Sequence, residues 1–311
     1  MAAEVNETIK NWMLLSRIPF HSVGVMPFIL GTLMAWTLTH SFSLAIVLWA
    51  VTAVVCILLA THYNGEYFDL AEDILSARNG KTAFSGGSAL GIEKRLKYRT
   101  SLRVGAWVAI FLSMCIGLLL FLYYKTGPLT IPLGVIGICC GFFYSAPPFR
   151  WVRTGFGEAL IGFNYGWLPV ATAFYLQAGF IPDLAFWVSI PIGLSVFNII
   201  FINEFPDYQA DRDVGKRNMV VRLGIERAPW VYILATLLSW GVFFISLFKG
   251  VPVAALWGYG PVIALSGTII VMLLLKKQRE LKTLEAMCGL TIAVNLLTTL
   301  AYIIGFLNFN K

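Results

Sequence analysis

An all-helical membrane protein is the fold this sequence predicts, on three observations. Of its 311 residues 58% are hydrophobic and only 13% charged; the mean hydropathy is +0.77; and apolar stretches of about 20 residues recur, each long enough to cross a hydrocarbon core about 30 Å thick as a helix. Nine spans are expected: Phe20–Leu38, Phe42–Tyr63, Val104–Tyr124, Leu129–Ala146, Phe156–Leu176, Leu184–Ile202, Val231–Phe248, Val253–Leu275 and Met287–Phe306. A transmembrane barrel would need short alternating segments, and these are long and continuous. No low-complexity stretch or linker interrupts them, so residues 1–311 read as one domain.

The polar start, "VNETIKNW", mixes acids and bases, unlike a signal peptide, and is expected to be retained. Nine crossings divide the connections into two sets. One set, formed by the N-terminal segment and the loops near 64–103, 147–155, 203–230 and 276–286, carries 20 of the 23 Lys and Arg; the other holds Lys125, Lys249 and Lys311. By the positive-inside rule the first set faces the cytoplasm, which places the chain in a cell's inner, cytoplasmic membrane. The net charge of +7 is explained by that bias, so no nucleic-acid partner is expected. All five Cys fall within apolar spans and read as small core residues, while His21, His40 and His62 are scattered and make no ligand cluster.

Two connections are long, after the second and sixth spans, and each opens on an acidic cluster. The later one, "NEFPDYQADRDVGKRN", spaces Asn203, Asp207 and Asp211 by four, which on a helix stacks an amide and two carboxylates on one face. The earlier one, "NGEYFDLAEDILSARNGKTAFSGGS" (64–88), spaces Asp69 and Asp73 by four, with Asn64 and Glu66 upstream. Like charges at that spacing repel, and a membrane boundary adds a desolvation cost, so a cation must compensate. Carboxylate, amide and phosphate oxygens are what Mg²⁺ takes, usually with one or two protein carboxylates per ion. Two half-sites around a diphosphate fit. Arg78 and Lys81 after the first ladder, and Arg212 and Lys216 after the second, are candidate diphosphate contacts, although membrane topology alone also places cations there.

The paired acidic ladders, "FSGGS" at 84–88, "YSAPPFR" at 144–150 and "GKRN" at 215–218 resemble the UbiA superfamily of intramembrane prenyltransferases, over nearly the whole chain. The resemblance implies that motifs of the form N-x-x-x-D-x-x-x-D and D-x-x-x-D bind Mg²⁺ and the diphosphate of a polyprenyl donor. Asn203, Asp207 and Asp211 match position for position; Asp69 and Asp73 match, but Asn64 precedes Asp69 by five, and Gly65 stands where the family's Asn would. Either a bulge in the helix returns Asn64 to register or the amide contact is missing or replaced by Glu66. The family also implies roles for Arg78 and Lys81 on the diphosphate and for Tyr144 near the reacting carbon. Glu158 and Asn164, near the inner half of the fifth span, are candidates for handling a proton or positioning an acceptor, with a contact from Glu158 to a loop cation as the alternative.

The implied chemistry is Mg²⁺-dependent departure of the diphosphate from an allylic carbon and capture of the resulting carbocation by an aromatic acceptor. "FSGGS" and the short second motif resemble the 1,4-dihydroxy-2-naphthoate branch of menaquinone synthesis more than those acting on 4-hydroxybenzoate, homogentisate, glyceryl phosphate lipids or haem. A terpene cyclase of the same superfamily would use the diphosphate machinery without an acceptor. A transporter would account for intramembrane acids and for the Gly and Pro breaks of the fifth and sixth spans, but its site would lie near the midplane.

Overall fold

The computed structural model describes residues 2–78, 87–88 and 90–309. Thirteen α-helices follow one another: α1 (Ala2–Leu15), α2 (Ile18–Thr39), α3 (Leu44–Phe68), α4 (Leu70–Arg78), α5 (Ile92–Leu122), α6 (Thr130–Ser145), α7 (Gly157–Tyr165), α8 (Trp167–Ala178), α9 (Asp183–Asp213), α10 (Met219–Leu223), α11 (Ala228–Phe248), α12 (Ala255–Leu274) and α13 (Leu281–Leu307). Among the described residues the only β-type pairing is a single bridge between Thr154 and Arg217. Seven helices, α2, α3, α5, α9, α11, α12 and α13, are long and apolar enough to cross a membrane. This is a multi-pass membrane protein.

The other two expected crossings take different forms. Leu129–Ala146 yields α6, whose 16 residues rise about 24 Å. Phe156–Leu176 is broken into α7 and α8 at Gly166, where a Cβ would fall 2.6 Å from the Gly162 carbonyl oxygen and 2.6 Å from the Gly193 Cα. The absent side chains let the joint lie backbone to backbone on α9, which buries the irregular turn in protein as a bilayer requires.

The acidic stretch after the sixth span is helix rather than loop. α9 continues through Pro206 to Asp213. Pro206 has no N–H for the Ile202 carbonyl, and Cys288 Sγ of α13 approaches that oxygen at 3.8 Å. Beyond α9, Asn218 caps α10 by accepting a hydrogen bond from Val221 N at 2.9 Å.

Apolar packing sets the frame. α3 lies along α5, α2 along α8, and α9 against α11 and α13, with α12 on α13. The main core gathers Met34 of α2, Phe174 of α8, Phe201 of α9, Phe243 of α11, Tyr259 of α12 and Tyr302 of α13, all buried. The outer face of α5, with Phe111, Leu118 and Leu122 exposed, meets lipid rather than core. Cys115 shares that face and is exposed, a departure from the core position expected of it, whereas Cys56, Cys140 and Cys288 are buried.

Candidate active site

The two acidic ladders meet. α3 ends at Phe68 and α4 begins at Leu70, so Asp69 sits at the joint, its N–H bonded to Gly65 O at 3.0 Å; Asp73 N bonds in turn to Asp69 O at 3.0 Å. α4 packs on α9, the helix that carries Asn203, Asp207 and Asp211. Lys216, in the turn after α9, lies between them: its Nζ is 3.0 Å from Asp211 Oδ1, and Asp69 and Glu72 also act on its charge.

Each carboxylate has its own partners. Asp69 Oδ2 accepts from Ser145 Oγ at 2.6 Å, and its Oδ1 is 3.5 Å from an Arg150 nitrogen. Glu72 lies 3.3 Å from Arg150 and 3.6 Å from Arg153. Asp211 Oδ2 accepts from Asn218 Nδ2 at 2.7 Å. Asp73 is held by Arg95 at 2.6 Å, and the same guanidinium is 2.6 Å from Glu66. Glu66 also takes Arg17 at 2.7 Å and the Ser88 hydroxyl at 3.0 Å. Arg95 is 1% exposed and Glu66 and Asp73 are buried with it, while Arg17 closes the group from a half-buried position.

Burial raises the Asp69 carboxyl to about 7, with Lys216 opposing the shift and Glu72 reinforcing it. Burial likewise raises Asp73 despite Arg95. For Lys216 burial opposes the charge, yet Asp211 and Asp69 outweigh it and hold its pKa above the ordinary lysine value.

Several oxygens are left over. Among the described residues Asn203 Oδ1, Glu72 Oε2 and Glu204 Oε2 are buried without a hydrogen-bond partner. Unsatisfied buried acceptors are costly, and oxygen is the donor atom Mg²⁺ prefers, so the residues present fit that ion. Among the described residues no three His, Cys, Asp or Glu stand together as a ready-made cage. An ion that takes much of its shell from phosphate and water does not need one.

α3 carries no bulge. It is regular to Phe68, and a Cβ at Gly65 would stand 3.9 Å from Asp69 Oδ2. Gly65 therefore holds the motif position and the amide is absent there. Asn64 is buried with its Nδ2 unpartnered, and Glu66 is committed to Arg17 and Arg95 rather than replacing the amide. Arg212 is exposed, one residue round the helix from Asp211. Arg78 closes α4 with its side chain outside the described part, and Lys81 lies outside the described residues. Among the described residues Glu158 meets no loop cation; its Oε1 accepts from Met219 N at 2.6 Å, and Glu204 lies against it. Arg95, Arg150, Arg153, Glu72 and Glu204 complete the site. Arg150 and Glu204 stand inside the motifs already quoted, while Arg95 looked like any cation on the charged side.

Below the charged layer Tyr144 packs on a small apolar cluster of Val23, Leu58, Ile161, Tyr165, Val196 and Ile199. Leu58 and Tyr165 continue into a narrow crevice of about 80 Å³ between α2, α3, α6, α7 and α8, with Asn164 on its wall. A larger groove of about 600 Å³, apolar throughout, opens on the outer side between α7, α8, α9 and α11.

Residues 24–295 match the UbiA prenyltransferase family. The 2-carboxy-1,4-naphthoquinone phytyltransferase of Synechocystis sp. is 24% identical, over 73% of this chain and 71% of its own. The 1,4-dihydroxy-2-naphthoate octaprenyltransferase of Escherichia coli is 27% identical over 56% of each chain. A UbiA homolog from Archaeoglobus fulgidus, solved bound to GPP and Mg²⁺, superposes with a TM-score of 0.60 at 12% identity, covering 94% of this chain and 99% of that one.

Proposed function

The chain belongs to the UbiA prenyltransferase family, and from that premise we propose that it transfers a polyprenyl group from its diphosphate to a hydroxylated naphthoate, with 1,4-dihydroxy-2-naphthoate as the acceptor. The observation that carries the proposal is the meeting of the α4 and α9 carboxylates across Lys216. The relatives named for naphthoquinone substrates support the acceptor. A transporter is set aside by family membership.

Asp69, Asp207, Asp211 and Asn203 would hold Mg²⁺, which when bound supplies positive charge to the diphosphate oxygens and eases their departure. Asp73 turns one oxygen to Arg95 and completes the first ladder. Lys216 and Arg150, already beside these carboxylates, meet the phosphate oxygens, Lys as a point charge and Arg as a fork. Arg78 and Lys81, which follow the first ladder in sequence, are further candidates for the diphosphate. As the allylic C1–O bond breaks, the Tyr144 ring faces the developing cation, and the crevice beyond Leu58 begins the path of the apolar tail. Asn164 and Glu158 bracket the acceptor side. The acceptor ring carbon bonds to C1, its carboxyl leaves as CO₂, one proton is released, and diphosphate departs. The two charged ladders face the cytoplasm, on the side favoured by the distribution of Lys and Arg.

The test is purified protein with a labelled prenyl diphosphate and a panel of aromatic acceptors, with and without Mg²⁺. Prenylated naphthoquinol that requires Mg²⁺ is the expected product. Hydrocarbon released without any acceptor would make the protein a cyclase instead.

A further inference from the structure

Successive turns of α2 and α3 face each other in rows. At the charged end Arg17, in the α1–α2 joint, meets Glu66 at 2.7 Å. One turn deeper the rings of His21 and His62 stack, centroids 5.4 Å apart and planes within 8°. A turn further a Cβ at Gly24 would touch Leu58 at 3.2 Å, and below that Phe28 and Val54 share the crevice wall. The histidines therefore occupy the boundary between the ionic layer and the apolar crevice. In a prenyl diphosphate that boundary is C1, where the charged group ends and the tail begins. An acceptor must lie at this depth to be alkylated.

Both histidines keep Nε2 buried without a partner, and His21 is only 9% exposed. A neutral imidazole protonated on Nδ1 leaves Nε2 as a lone-pair acceptor. A buried acceptor beside a row of apolar side chains is satisfied by an O–H group on an otherwise apolar molecule. Resting on the aromatic-acceptor reading above, we propose that His21 Nε2, braced by the stacked His62, accepts a hydrogen bond from a ring hydroxyl of the acceptor and so orients the ring toward C1. Catalysis of proton transfer is no part of this role.

The experiment compares wild type, His21→Ala and His21→Gln in acceptor KM, in calorimetric Kd for the prenyl diphosphate with Mg²⁺, and with a hydroxylated acceptor set against its methyl ether. Loss of one buried hydrogen bond should raise the acceptor KM about tenfold in His21→Ala. The diphosphate Kd should stay within about twofold, and the Gln carbonyl should restore most of the loss. In wild type the methyl ether should be about tenfold poorer, and in His21→Ala no poorer than the parent compound. An unchanged acceptor KM, a parallel loss of diphosphate binding, or a methyl-ether penalty that persists in His21→Ala overturns the role. If His21→Ala does not fold, the Gln variant and the wild-type methyl-ether penalty decide. A wild-type protein that alkylates no hydroxylated ring overturns the functional reading itself, which is distinct from an active enzyme indifferent to His21.

Discussion

Replacing Arg95 by Met tests the buried ionic group most directly. Arg95 stands in the first turns of α5, where the helix dipole disfavours a cation, and it is 1% exposed. Its charge is therefore tolerable only through Glu66 and Asp73, each 2.6 Å away. With an effective dielectric of about 20, one such contact is worth about 6 kcal/mol before desolvation is subtracted. Breaking a buried pair typically costs about 3–5 kcal/mol, because a charge is left without a partner. Glu66 would keep Arg17 at 2.7 Å, so the cost falls mainly on Asp73. Arg95→Met should thus lower the melting temperature of the detergent-purified protein by roughly 6–20 °C. Adding Asp73→Asn should recover part of that loss, since it removes the stranded carboxylate. A melting temperature unchanged to within about 2 °C, or a double variant worse than the sum of the singles, would refute the reasoning.

Asp69→Asn, Asp207→Asn and Asp211→Asn should each lower turnover by at least about a thousandfold while helical circular dichroism is retained, and full activity in any two contradicts the site. Because burial raises the Asp69 carboxyl to about 7 and only the carboxylate binds a metal, Mg²⁺ affinity measured calorimetrically should fall as pH drops from 8 to 6 and level off above 8; a flat profile would show that Asp69 is not a ligand. Gly166→Ala would drive a methyl group to 2.6 Å from backbone atoms of α7 and α9 and should destabilise the protein by about 1–3 kcal/mol, read as a lower melting temperature; an unchanged one would mean the joint can shift.

Much of this arrangement was legible in the sequence because the bilayer imposes simple rules. Long uncharged runs became long helices, and the four-residue spacing of Asn203, Asp207 and Asp211 lies on one face of α9 as written. The break at Gly166 was hidden because the residues on either side are as apolar as those of an unbroken span. The Gly65 question needed the backbone: sequence spacing left a bulge open, and only the regular α3 hydrogen bonding closed it. Arg95 was invisible for a different reason. Positive-inside bias fills the same segment with Lys94, Lys97, Arg99 and Arg103, and which of five cations turns inward depends on the approach of α5 to α3 and α4.

The burial of Glu66, Asp73 and Arg95, with Arg17 at their edge, as a self-compensating unit divides the first motif between two duties. On the proposed metal site, Asp73 answers first to folding and Asp69 to turnover, although they are one helical turn apart. Variants drawn from the same short motif should then sort into two phenotypes, scarce protein on one side and abundant inert protein on the other. Abundance measured beside activity would separate them where activity alone would score them as equals.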